Sequence, residues 1–119
     1  MAKDDYFNLV FRALVFLYKK LKGKTNESTV DVLRPTGKDF GISESYFDYV
    51  IEHMNSEGLI EYIDEIILLN GDSLHKVTEE TRITPKGIEY LENNSNMQKI
   101  ARALTGAADR IIDIASIFV

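Results

Sequence analysis

Cysteine and tryptophan are absent from this 119-residue chain, and proline occurs only twice. Without cysteine there is no disulfide, no thiolate metal site and no thiol nucleophile. Long apolar runs are missing as well. No stretch reaches the roughly 18 uninterrupted apolar residues of a membrane span. The N-terminal "MAKDDYFNLVFRALVFLYKKLK" is interrupted by Arg12 and lacks a small-residue cleavage site after an apolar run. Asn26 and Asn93 fit the glycosylation pattern, but with no secretory signal the match reads as coincidence. These absences predict a soluble, cytoplasmic domain with no membrane partner. Histidine is scarce: His53 and His75 fall on different predicted elements, and no HExxH, glycine-rich phosphate loop or nucleophile elbow occurs. Asp64–Glu65 and Glu79–Glu80 could flank a hairpin, but acids there are expected to be solvated. No catalytic residue, metal site or cofactor is therefore expected.

What is present suits one globular domain. Apolar residues make up 45% of the chain, with six Phe and six Tyr, and a chain of this length buries very roughly two-thirds of its unfolded surface. The net charge of −5 conceals an asymmetry. Between Tyr18 and Lys38 six Lys or Arg face two acids, whereas between Asp39 and Asn94 thirteen acids face three bases. A basic patch is therefore available between Tyr18 and Lys38, away from the helix that follows Ser43.

Phe7, Val10, Phe11, Leu14, Val15, Tyr18 and Leu21 recur at helical steps, and Gly23 stops that helix after its lysines. The polar "GKTNESTVDVLRPTGKDFG" predicts a loop, with a short strand near Thr29–Leu33 and one or two helical turns near Thr36–Phe40. Ser43 is the expected N-cap of a helix burying Phe47, Val50, Ile51 and Met54 and ended by Gly58. "LIEYIDEIILL" fits a helix by period, but Gly58 before it and Asn70-Gly71 after it favour a strand. A type I′ turn at Asn70-Gly71 sets Ile67 against Leu74 and Glu65 against Lys76. The same register opposes Glu61 and Glu80, so a bulge is expected between the two ends. Thr84 and Pro85 open another helix with Ile88 and Leu91 inward. "SNMQ" then reads as a capping box starting a last helix at Ser95.

This order predicts an α+β fold, a winged helix-turn-helix over residues 1–94 with an additional C-terminal helix over 95–119. "SYFDYVIEHMNSEGLIEYI" and "RITPKGIEYLENNS", with the hairpin between them, resemble the YjcQ-like winged-helix proteins of bacteria and their phages. The likeness runs from about Asp4 to Ile100. It implies a cytosolic, often prophage-encoded protein and brings no catalytic residue with it. Pro35–Gly37 departs from a regular helix-turn-helix and implies a short second helix.

Three features bear on function. The helix from Ser43 exposes Glu44, Ser45, Asp48, Tyr49, Glu52, His53, Asn55 and Glu57, without one Lys or Arg. Groove readers need positive charge for phosphates, so a solvated face, or one docking a basic protein partner, is favoured over DNA readout. The candidate nucleic-acid contacts are Lys19, Lys20, Lys22, Lys24, Arg34 and Lys38, although dipole complementarity and solubility also account for them. Finally, Met97, Ala101, Leu104, Ala108, Ile111, Ala115 and Phe118 follow a four–three spacing, with alanine at alternate positions. Ile100, Ala103, Ala107, Ile114 and Val119 form a second stripe. A helix apolar on two sides can cover its own domain with one and a second copy with the other, so a homodimer is expected through the first seam. The leading expectation is thus a non-catalytic, dimeric interaction module, with a DNA-binding regulator using the basic patch as the alternative.

Overall fold

The computed structural model describes residues 5–37 and 40–105. The fold is α+β: α1 (Tyr6–Leu21), α2 (Thr29–Val32), α3 (Glu44–Ser56), β1 (Ile60–Glu61), β2 (Asp64–Ile67), β3 (Ser73–Lys76), β4 (Arg82–Ile83), α4 (Pro85–Asn93) and α5 (Ser95–Thr105). Among the described residues no helix is long and apolar enough to cross a membrane.

α1 is the axis of the core. Leu9, Val10, Phe11, Ala13, Leu14, Phe16 and Leu17 are all buried, and the helix packs against α3, β4, α4 and α5. Burying a large aliphatic or aromatic side chain is worth about 1.5–3 kcal/mol, against tenths for helix propensity, so packing decides where this helix lies. α3 meets it through Phe47, Val50, Ile51 and Met54, as its period predicts. Ser43 caps α3, its Oγ accepting from the Tyr46 amide at 3.2 Å.

The segment before α3 departs from its prediction. Thr29–Val32 is a helical turn, not a strand; of the helical turns expected near Thr36–Phe40, Lys38 and Asp39 lie outside the described residues, and the Phe40 amide donates to the Gly37 carbonyl. A four-residue helix is far below the length that is stable alone. Its amino end is held from fifty residues away. Glu79 accepts from the Thr29 and Val30 amides at 3.1 and 2.9 Å and from the Ser28 hydroxyl at 2.6 Å. Those bonds, the Ser28 one foremost, hold the Glu79 carboxyl below its usual range.

The strands form two separate two-stranded antiparallel sheets, β1 with β4 and β2 with β3. The observed pairs are Ile66 with Leu74 and Glu65 with His75, one residue away from the expected register. The reason is the loop. Only Gly71 of the Asn-Gly pair has positive φ, and the Leu68 amide donates to the Asp72 carbonyl, closing a longer turn. Glu61 faces Arg82 instead of Glu80, with Arg82 Nε 3.2 Å from Glu61 Oε1. Between the two ladders Tyr62 and Ile63 on one side stand against Val77–Thr81 on the other. This irregularity is larger than the expected bulge. It turns at Tyr62, whose φ is 61°, and the Thr78 and Thr81 hydroxyls both donate to the Tyr62 carbonyl. The excursion is what carries Glu79 to α2.

Thr84 caps α4, accepting from the Gly87 amide at 2.9 Å, with Pro85 at the first position. α5 is capped by Asn94, one residue earlier than the predicted Ser95. Asn94 Oδ1 accepts from the Asn96 and Met97 amides, and Gln98 reaches back to the Glu92 carbonyl instead of closing a capping box. α4 lies so close to β4 and to the Leu59 backbone that a Cβ on Gly87 would stand 2.2 Å from the Leu59 carbonyl oxygen and 2.7 Å from Ile83 Cγ1. Gly87→Ala is expected to cost about 2 kcal/mol or more through overpacking, lowering Tm by roughly 8 °C or more. An unchanged Tm in thermal denaturation would show that α4 does not sit this close.

Candidate interaction surface

α3 turns its apolar side to α1 and its opposite side to the β2–β3 hairpin, which packs against it through β3. The fastening is His75. Its Nδ1 lies 3.2 Å from Glu52 Oε1 on α3, and its Nε2 lies 3.4 Å from Glu65 Oε2 on β2. A neutral imidazole can donate to only one of them, and an imidazolium to both. Sequence reading grouped neither His75 nor Glu65 with α3, because no spacing rule connects residues on separate elements.

Glu44, Asp48 and Glu52 stand four residues apart, on one line along α3. Like charges at this spacing repel. Desolvation, then Glu44 and Glu52, push the Asp48 carboxyl above its usual range. Beyond them His53 stacks on Tyr49, ring centroids 4.2 Å apart, and Tyr6 meets Tyr49 edge-on at 6.1 Å. Burial first, and Glu57 second, raise the Tyr6 phenol to about 12. The Tyr6 ring therefore stays neutral and serves as packing.

Two depressions adjoin along the seam between α3 and the hairpin. One, of about 370 Å³, is lined by Leu33, Phe47, Ile66 and Val77, with Glu44, Asp48, Arg34 and Lys76 among its polar groups. The other, of about 580 Å³, is lined by Ser45, Tyr49, Glu52, Leu68 and Asp72, and shares Asp48 with the first. The hairpin leaves Ile66 41%, Ile67 73%, Leu68 38% and Leu69 fully exposed. The expected hairpin strand named no exposed side among these residues; the structure places all four at the surface.

The basic set is divided. Lys19 and Lys20 lie in the last turn of α1, with Lys22 at its C-cap and Lys24 just beyond. Lys20 donates to the Glu27 carbonyl and favours the charge on Glu79. Lys22 sits over the Tyr18 ring at 4.8 Å. Arg34 belongs instead to the α3–hairpin depression, and Lys38 lies outside the described residues. Among the described residues no group of three or more His, Asp or Glu side chains could hold a metal ion. Glu79 of the paired acids is occupied with α2.

The proposed dimer seam divides too. Met97 and Ala101 are fully buried in this chain's own core, so they are not available to a partner. The two-sided stripe could not reveal which side faces inward. Leu104 is 67% exposed. Ala108, Ile111, Ala115 and Phe118 lie outside the described residues.

The family described as YjcQ protein matches residues 16–110, from within α1 to beyond α5. The chain belongs to the YjcQ family. No curated protein and no solved structure matches it. The match takes in α3, the hairpin and the seam between them, so the acidic surface lies wholly inside the YjcQ region.

Because the ionised Asp48 is disfavoured in the fold, its titration has a definite sign. A raised carboxyl pKa opposes folding once the group is charged, and stability is recovered as pH falls through the folded pKa. Asp48→Asn is expected to raise Tm by about 2 °C near pH 7, a small effect because the site is partly solvated. The difference should vanish near pH 3, where the wild-type group is protonated. Differential scanning calorimetry at both values checks it; a lower Tm for the variant at neutral pH would contradict the repulsion.

Proposed function

We propose that this YjcQ-family chain is a non-catalytic winged-helix interaction module of a bacterial or prophage cytoplasm, working as a homodimer. Helices α1 to α3 followed by the hairpin support the winged helix-turn-helix assignment, with α3 as the third helix and β2–β3 as the wing. Residues 1–94 would then be the winged-helix domain and 95–119 the associating helix. The observation that carries the reading is the outward side of α3: three carboxylates in line, no Lys or Arg, and a wing fastened across it by His75. A helix so placed repels phosphates and is partly covered by its own wing. A protein partner at this face and a second copy at α5 are the binding events that remain consistent with it.

Self-association is assigned to the continuation of the seam beyond the core: Leu104, and in sequence Ala108, Ile111, Ala115 and Phe118. Leu104→Glu places a charge at the exposed start of that seam. Wild type is expected to sediment as a dimer at tens of micromolar, corresponding to about 8 kcal/mol for a micromolar constant. The variant should sediment as a monomer with unchanged circular dichroism. A monomeric wild type at that concentration would remove the dimer from this reading.

A DNA-binding regulator is the second reading, favoured by the cluster of Lys19, Lys20, Lys22 and Lys24 at one end of α1. In a mobility-shift assay at two salt concentrations, the module reading expects no sequence-specific complex. If DNA binds through these lysines, changing Lys19, Lys20 and Lys22 to Gln should weaken all sequences alike and flatten the salt slope by roughly one unit per lost phosphate contact. Unchanged binding in that triple variant would eliminate the patch, and a footprint with α3 in a major groove would overturn the module reading.

A further inference from the structure

We propose that the groove between α3 and the β2–β3 hairpin binds a basic amphipathic segment of another polypeptide, taking its branched apolar side chains against Phe47 and Ile66 and its Lys or Arg side chains against Glu44, Asp48 and Glu52. The inference rests on the interaction-module reading and names the partner chemistry of that surface. Three observations converge on it. First, the two depressions share Asp48, and their linings run along α3 from Glu44 to Glu52, a span that suits a stretch of chain better than a compact ligand. Second, its floor is apolar. Leu33, Phe47 and Val77 are buried beneath it, while Ile66 and Leu68 stand partly exposed along the hairpin side. Exposed apolar side chains that adjoin a groove mark contact surfaces more often than isolated ones do.

Third, charge selects the occupant. Glu44, Asp48 and Glu52 run the length of the α3 side, and Asp72 closes the hairpin end. Asp48 is disfavoured in its ionised form by burial and by its two neighbours; a cation beside it relieves that repulsion. Arg34 and Lys76 stand at the opposite end, where they accept an acidic residue or a carboxyl terminus of the same segment. Nucleic acid fails on the sign of the charge. A second copy docking the same face about a two-fold axis would set acid against acid. A polypeptide carrying Lys or Arg beside Leu, Ile or Val matches both the floor and the rim.

The test uses the full chain and a short fluorescein-labelled peptide alternating Leu with Lys, with Ser/Lys and Leu/Glu peptides of equal length as controls. Fluorescence anisotropy is expected to give a Kd of roughly tens of micromolar for Leu/Lys, at least about tenfold weaker binding for Ser/Lys, and none for Leu/Glu. Ile66→Ser and Asp48→Asn should each weaken the Leu/Lys peptide by about fivefold or more. Amide shifts of Phe47, Asp48, Ile66 and Val77 should move on titration. Equal binding of Ser/Lys, indifference to Ile66→Ser, or shifts confined to other surfaces would reduce the effect to general charge attraction and overturn the proposal. If no peptide binds while the chain still dimerises and shifts no DNA, the groove assignment falls and the module reading stands. A sequence-specific DNA complex would remove the module reading itself.

Discussion

Burial of α1 is the constraint on which the other elements depend. Seven of its sixteen residues are buried, and α3, β4, α4 and α5 each find in it part of the surface that excludes water from them. Their own lengths offer little: β1 and β4 are two residues each, and α4 is nine. Elements this short are held by packing, not by their internal hydrogen bonds. Met97, Ile100 and Ala101 join the same core, so α5 is a component of the domain, and only its outer side is open to anything else.

Around that axis the strand region is built to break. A continuous ribbon from Leu59 to Ile83 would project as one stiff hairpin. Instead the ladder stops at Tyr62, whose positive φ costs energy for a bulky side chain, and whose carbonyl is satisfied by Thr78 and Thr81. Arg82 covers the Tyr62 ring at 4.5 Å and donates to its hydroxyl. Two consequences follow from the unequal strand lengths across this break. The return strand bulges far enough for Glu79 to cap α2, and β3 comes to rest against α3, where His75 meets Glu52. The shape of the acidic trough is therefore set by a backbone irregularity some distance from it.

Charge is segregated by the same arrangement. The lysines at the end of α1 complement the carbonyl end of that helix and are partly used in tying down the following loop, through Lys20 and the Glu27 carbonyl. On α3 Glu52 meets His75, while burial first, then Glu44 and Glu52, hold the Asp48 carboxyl above its usual range. A surface that bears like charges over an apolar floor is more costly to leave in water than either feature alone. This asymmetry between the two charged regions is the reason the proposed occupant of the trough is a polypeptide and not nucleic acid.

Much of the helical architecture was legible in the residues. The stripe from Phe7 to Leu21, the Ser43 cap with Phe47, Val50, Ile51 and Met54 inward, and the Thr84-Pro85 start of α4 are local patterns, and local patterns survive folding because they depend on neighbours within one or two turns. The acidic outer side of α3 follows from the same periodicity. The family likeness was legible as well, in the segments around α3 and α4. What only the tertiary structure decided involves partners far apart in sequence. Thr29–Val32 is a helix because Glu79 supplies its cap, the register follows a turn that Asn70-Gly71 does not close in two residues, and Met97 and Ala101 face inward because α1 is there to receive them. No window along the chain contains those partners, so no local propensity can report them; they exist only once α1 is buried and the ladder has broken at Tyr62.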